Sequence, residues 1–172
     1  MGVNPRAARL TLRPRSRKGS GSVRKLSGGR LFTVGYEGRT LEGYLDLLSG
    51  GGVTLLCDVR RNPISRKPGF SRKALAAACA RMGIRYEHLP ELGIPSEKRR
   101  AVKTQADRDA LLAEYERTTL VLQKEAVLRV ACWVQEGLAV ALTCFEADPA
   151  RCHRHFVAGA VGRALGVRAS HL

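Results

Sequence analysis

Residues 146–156, EADPARCHRHF, place two acids, two arginines, two histidines and a cysteine directly after the apolar run LAVALTCF. A carboxylate and an imidazole can donate and accept protons near neutral pH, and guanidinium groups match phosphate oxygens in bidentate geometry. Comparable residues follow the other apolar runs: Tyr36, Glu37 and Arg39 after LFTV, Asp58, Arg60 and Arg61 at the end of VTLLCDV, and His88 and Glu91 at the end of IRYEHL. The chemistry such a set suggests is proton transfer by Glu146, His153, Asp58 or Glu37. The substrate would be anionic, held by Arg60 and Arg154 facing one shared site, with Tyr36, Arg39, His88 and Cys152 completing the binding residues.

Structural roles compete with these. Asp58 suits an acceptor for loop amides, His88 alternates with Tyr86 and fits a half-buried imidazole, and Arg60, Arg154 and Glu146 could form an internal ion-pair network. A thiol near a helix start, such as Cys152, has its thiolate favoured. A phosphatase-type loop, however, needs an arginine six residues after the cysteine, and positions 158 and 150, which follow Cys152 and Cys144 at that distance, are both Ala. No His/Cys spacing calls for zinc, so no metal ligand is assigned, although carboxylates at the strand ends could hold a divalent ion, and the sequence names no cofactor.

The elements that must position these residues follow from the hydrophobic period. LFTV (31–34), VTLLCDV (53–59), IRYEHL (84–89) and LAVALTCF (138–145) read as strands, with VRASHL as a short terminal one. Helices are expected from Thr40, from an N-cap at Ser71 with Leu75, Ala78, Cys79 and Met82 inward, and as a pair between Asp107 and Glu136. A last helix is expected to open at Asp148 and Pro149 and run to about Leu165. Residues 90–105 read as a polar loop. Alternating strands and helices imply an α/β fold: an open, mostly parallel sheet of four to five strands with helices on both faces, Rossmann-like and three-layered. In such a sheet ligands bind at the carboxyl ends of the strands, where the polar residues above collect.

The chain has 172 residues and a net charge of +15, room for one domain over residues 31–172. Residues 1–30 hold nine of the 30 Lys and Arg and no acid, leaving 21 basic against 15 acidic residues, or +6, for the rest. This basic segment lacks apolar periodicity and is expected to be a disordered extension: an arm for nucleic-acid phosphates, an organelle-targeting segment, translated sequence upstream of the true start, or a solvated extension with no specific role. No apolar run approaches the length that crosses a bilayer, and no signal-peptide pattern is present, so a cytoplasmic protein is expected, with nucleic acid or a nucleotide as partner. Five cysteines without a C-x-x-C pair fit reduced thiols rather than a disulfide framework.

The segments TVGYEGRTLEGYLDLL, LLCDVRRNPISRKPGFSRKAL, GIRYEHLPELG and ALTCFEADPARCHR, in that order, resemble the domain of unknown function 488 family, over about Leu31 to His171. The resemblance implies an α/β domain with marked positions at Gly35, Glu37, Asp58, Arg60, Pro68, Phe70, His88, Leu92, Gly93, Glu146, Cys152, His153 and Arg154. It carries no established activity. Ile94 departs from the family pattern, where many relatives have a second glycine. An enzyme acting on a phosphate-bearing or nucleic-acid substrate is the leading expectation, and a non-catalytic nucleotide or nucleic-acid binding module is its rival.

Overall fold

The computed structural model describes Met1 and residues 28–172, so the expectation for the basic segment falls almost wholly outside the described residues. The rest forms one all-parallel sheet in the order β3-β2-β4-β1-β5, built from β1 (Arg30–Gly35), β2 (Leu55–Asp58), β3 (Arg85–His88), β4 (Ala139–Cys144) and β5 (Ser170–His171). The strongest strand signal in the sequence is the central strand: every residue of β4 is buried. This follows from its neighbours, since β1 and β2 flank it and helices cover both faces.

The helices are α1 (Leu41–Gly50), α2 (Arg72–Arg81), α3 (Ser96–Arg100), α4 (Gln105–Glu114), α5 (Lys124–Gln135) and α6 (Arg154–Leu165). Side chains of a strand alternate between faces, and β4 shows the consequence. Val140, Leu142 and Cys144 join the core beneath α5 and α6, whereas Ala139 and Ala141 join the core beneath α1 and α2. On the α1 face Tyr44 donates a hydrogen bond to the Thr143 hydroxyl at 2.7 Å.

Several local expectations need correction. The loop after β3 is not structureless: a 3-10 turn over Pro90–Leu92 and the five-residue α3 break it up. Met82 is 45% exposed rather than inward, because α2 stops at Arg81 and Gly83 turns the chain away at φ 69°. Ser71 occupies the N-cap position without capping, since its hydroxyl donates instead to the Ser65 carbonyl at 3.0 Å. Asp148 and Pro149 open a single 3-10 turn, Pro149–Arg151, and not the last helix. Cys152 then runs extended, at φ −134° and ψ 138°, before α6 begins at Arg154.

The strand order also places a crevice. From β2 the chain moves outward to β3, and from β4 it moves the opposite way, past β1 to β5. The carboxyl ends of the adjacent β2 and β4 are thus where connections diverge, the position at which open α/β sheets bind ligands.

Candidate functional site

Two polar clusters sit at these strand ends. The first is built on the β2 carboxyl end. Asp58, fully buried, takes Arg60 Nη2 at 2.5 Å and Arg60 Nε at 2.8 Å, and also accepts from the Arg60 amide at 3.1 Å and the Tyr86 hydroxyl at 2.6 Å. Arg60 Nη1 donates to the Tyr36 hydroxyl at 2.8 Å and the Phe70 carbonyl at 2.9 Å, and Tyr36 stacks on Phe70 with ring centroids 4.4 Å apart. Burial alone would disfavour the charged guanidinium, but the Asp58 carboxylate outweighs it and holds the Arg60 proton more tightly than usual. His88 closes the cluster, its Nε2 lying 2.9 Å from the Arg60 carbonyl. Asp58, Arg60, Tyr36 and His88 are therefore brought together, with Arg60 engaged internally.

The second cluster lies at the end of β4 and the start of α6. Cys144 ends the strand on the α5–α6 face, and the extended Cys152 brings its thiol and the His153 ring back against it. His153 Nδ1 is 3.8 Å from Cys144 Sγ and 3.9 Å from Cys152 Sγ, while Nε2 is 3.0 Å from the Val59 carbonyl. That carbonyl can only accept, so Nε2 carries a proton and Nδ1 is the ring nitrogen that faces the sulfurs. Tyr115, whose hydroxyl donates to the Leu92 carbonyl at 2.6 Å, supports the imidazole edge-on at 5.5 Å between centroids. Cys144 Sγ is also 3.3 Å from Glu146 Oε2.

The electrostatics of this cluster are uneven. For Cys152 burial pushes the thiol up, yet a hydrogen bond from the Cys144 thiol and the charges of His153 and Arg154 outweigh it and hold the thiol well below its ordinary value. The Cys144 thiol is pushed far up, first by that hydrogen bond and then by burial. Burial and the Cys152 sulfur raise the Glu146 carboxyl. Burial would lower the His153 value, but the Cys152 sulfur raises it overall.

Arg154 is 1% exposed and holds the loop that carries Glu146: its Nη1 donates to the Glu146 carbonyl at 2.5 Å and its Nη2 to the Ala147 carbonyl at 3.0 Å. Glu37 secures the same loop from the β1 side, accepting the Ala147 amide at 2.9 Å, and Arg39 Nε returns to the Gly35 carbonyl at 3.2 Å. Arg60 and Arg154 thus each bind internal acceptors.

A cavity of about 290 Å³ opens over the second cluster, lined by Glu146, Cys152 and His153 below and by Arg99, Arg108 and Arg151 around it. Arg99 and Arg108, which sit on α3 and α4, and Arg151, on the turn before α6, are not among the binding residues expected from the sequence. Cys144 enters the sequence analysis only as a phosphatase-type nucleophile that Ala150 argues against; its period-2 position on the α6 face is the signal that could have found it. Among the described residues none of these three arginines forms an ion pair, and the buried Nε of Arg108 has no hydrogen-bond partner. A larger, mostly apolar hollow of about 590 Å³ lies among Leu120, Val127, Leu128 and Ala160 and contains none of the strand-end residues.

A family model described as "Domain of unknown function DUF488" matches residues 40–161, a span that holds every residue lining the smaller cavity. No curated protein and no solved structure matches the chain.

Proposed function

The chain belongs to the DUF488 family, and from that premise we propose that it is an enzyme acting on a phosphate-bearing substrate bound in the cavity above Cys152 and His153. The observation that carries this reading is the cavity's lining: three arginines without a carboxylate partner among the described residues surround a single carboxyl group, Glu146. Guanidinium groups without a carboxylate partner, one of them with a buried Nε that has no acceptor, are suited to a polyoxygen anion, although Arg99 Nη2 already donates to the Ser96 hydroxyl at 3.1 Å. The volume fits one phosphate group with a small attached moiety, as in a nucleotide or a nucleic-acid end, and is too small for a duplex.

Within this reading Arg99, Arg108 and Arg151 bind and orient the anion, and Glu146 exchanges a proton with the reacting group. Asp58, Arg60, Tyr36 and His88 brace the β2 end from which the Val59 carbonyl orients His153. Arg154, Glu37 and Arg39 fix the loop that presents Glu146. α3 and α4 carry Arg99 and Arg108 and are joined by the exposed Lys98–Glu114 pair at 2.6 Å, while Arg151 approaches from the turn before α6.

Calorimetric titration with adenosine monophosphate tests the binding half. Arg108→Ala is expected to weaken binding at least tenfold, since a lost charge-assisted hydrogen bond is worth about 1.5–3 kcal/mol. Unchanged binding in both Arg108→Ala and Arg99→Ala would overturn it. For the catalytic half, Glu146→Gln should keep the affinity and lose turnover in a screen of nucleotides and oligonucleotides. If the unaltered protein binds but turns over nothing in that screen, a nucleotide-binding module is the correct description.

A further inference from the structure

We propose that Cys144, Cys152 and His153 form a metal site for zinc in the floor of the cavity, with three protein ligands and a fourth position open to the cavity. Sγ of both cysteines and the ring nitrogen of His153 lie within 4.8 Å of one another, and all three residues are buried. Zn–S bonds near 2.3 Å and Zn–N bonds near 2.0 Å require separations of roughly 3.5–3.8 Å between ligand atoms in a tetrahedron. The observed 3.8 and 3.9 Å from His153 Nδ1 to the two sulfurs are therefore within a few tenths of an ångström of a metal-bound arrangement.

The surroundings supply a second, independent indication. A metal-binding histidine commonly donates its other ring N–H to a backbone carbonyl or carboxylate, which fixes the tautomer and turns the free nitrogen toward the metal. His153 does this through Nε2 and Val59. Two thiolates neutralise a divalent cation, and thiolate with imidazole selects zinc over the harder calcium and magnesium. Ligation uses only three groups, and the cavity adjoins two of them, Cys152 and His153. The fourth position falls beside Glu146, whose Oε2 is 3.3 Å from Cys144 Sγ. Zinc itself depends on these residues alone; its use as the centre that polarises a water or a phosphate oxygen rests on the function proposed above. The C-x₇-C-H spacing escapes the usual zinc patterns because one ligand ends a strand and the other two precede a helix.

The test uses the full chain under reducing conditions with Zn²⁺ or Co²⁺ alone as the probe, so it needs no substrate and stands or falls apart from the phosphate reading. One metal ion per chain is expected after removal of excess, and the cobalt form should show sulfur-to-cobalt charge transfer. That band should lose at least half its intensity in Cys144→Ser and in Cys152→Ser, vanish when both are replaced, and persist in full in Cys132→Ser, whose thiol is exposed elsewhere. His153→Ala should bind zinc at least tenfold more weakly. Because the buried variants could fail to fold, alkylation of the unaltered protein provides a second reading: zinc should protect Cys144 and Cys152 together while Cys132 reacts. Absence of stoichiometric metal, a cobalt band of undiminished intensity in Cys144→Ser, or equal alkylation with and without zinc would overturn the site.

Discussion

Asp58 illustrates how much of one residue's work is decided by what surrounds it. Placed at a strand end with Arg60 two residues on, it is equally suited in sequence to accept a substrate proton or to hold a loop. The structure surrounds it with Arg60 and Tyr86 and buries it completely. Removing one member of such a pair leaves a buried charge uncompensated, so Asp58→Asn should cost about 3–5 kcal/mol of stability, read as a lower urea midpoint. Arg154→Ala should cost less, about 1–3 kcal/mol, because it strands two carbonyl acceptors rather than a carboxylate. A midpoint unchanged in either variant would contradict the bracing role given to it. The polar residues at the strand ends were legible in sequence because each follows an apolar run. The partners that divide them into two clusters were not, since Cys144, Tyr86 and Val59 come from different strands or their ends and meet only through strand order.

At the scale of elements, strands and long helices were legible from period, as β4 and the inward Val127, Val130, Ala131 and Val134 of α5 show. α3 was not, because SEKRR has no apolar repeat and its helix is a single short turn or so. The start of α6 was misread for a different reason: Asp148 and Pro149 are a sound helix opening, and Asp148 does accept the Ala150 amide at 2.9 Å, but the chain leaves the helix again to turn Cys152 inward. That detour is what builds the cluster. Gly35 permits it from the other side, since a Cβ there would run into the carbonyl of Glu146, the group that Arg154 holds. Gly35→Ala should therefore lower the denaturation midpoint by an amount equivalent to about 1–3 kcal/mol and weaken adenosine monophosphate binding together. Loss of one without the other would show that the loop carrying Glu146 is not set by this contact.

For the molecule as a whole, charge and topology act at different places. The topology sets the cavity at the end of β4, with the neighbouring β2 end reaching it only through the Val59 carbonyl on His153, whereas much of the net charge of +15 belongs to residues 1–30. If those residues contact nucleic-acid phosphates, their contribution must follow counterion release, and a chain beginning at Gly28 should bind a random duplex with a shallower salt dependence than the full chain. Equal slopes would assign the basic segment no part in binding. No helix among the described residues is long and apolar enough to cross a membrane. The most direct measurement of the central claim is a crystal structure of the full chain with adenosine monophosphate. The phosphate is predicted to lie within hydrogen-bond distance of Arg99, Arg108 and Arg151, facing Glu146, whereas a phosphate seated away from these arginines, with the cavity above His153 left to solvent, would contradict the account.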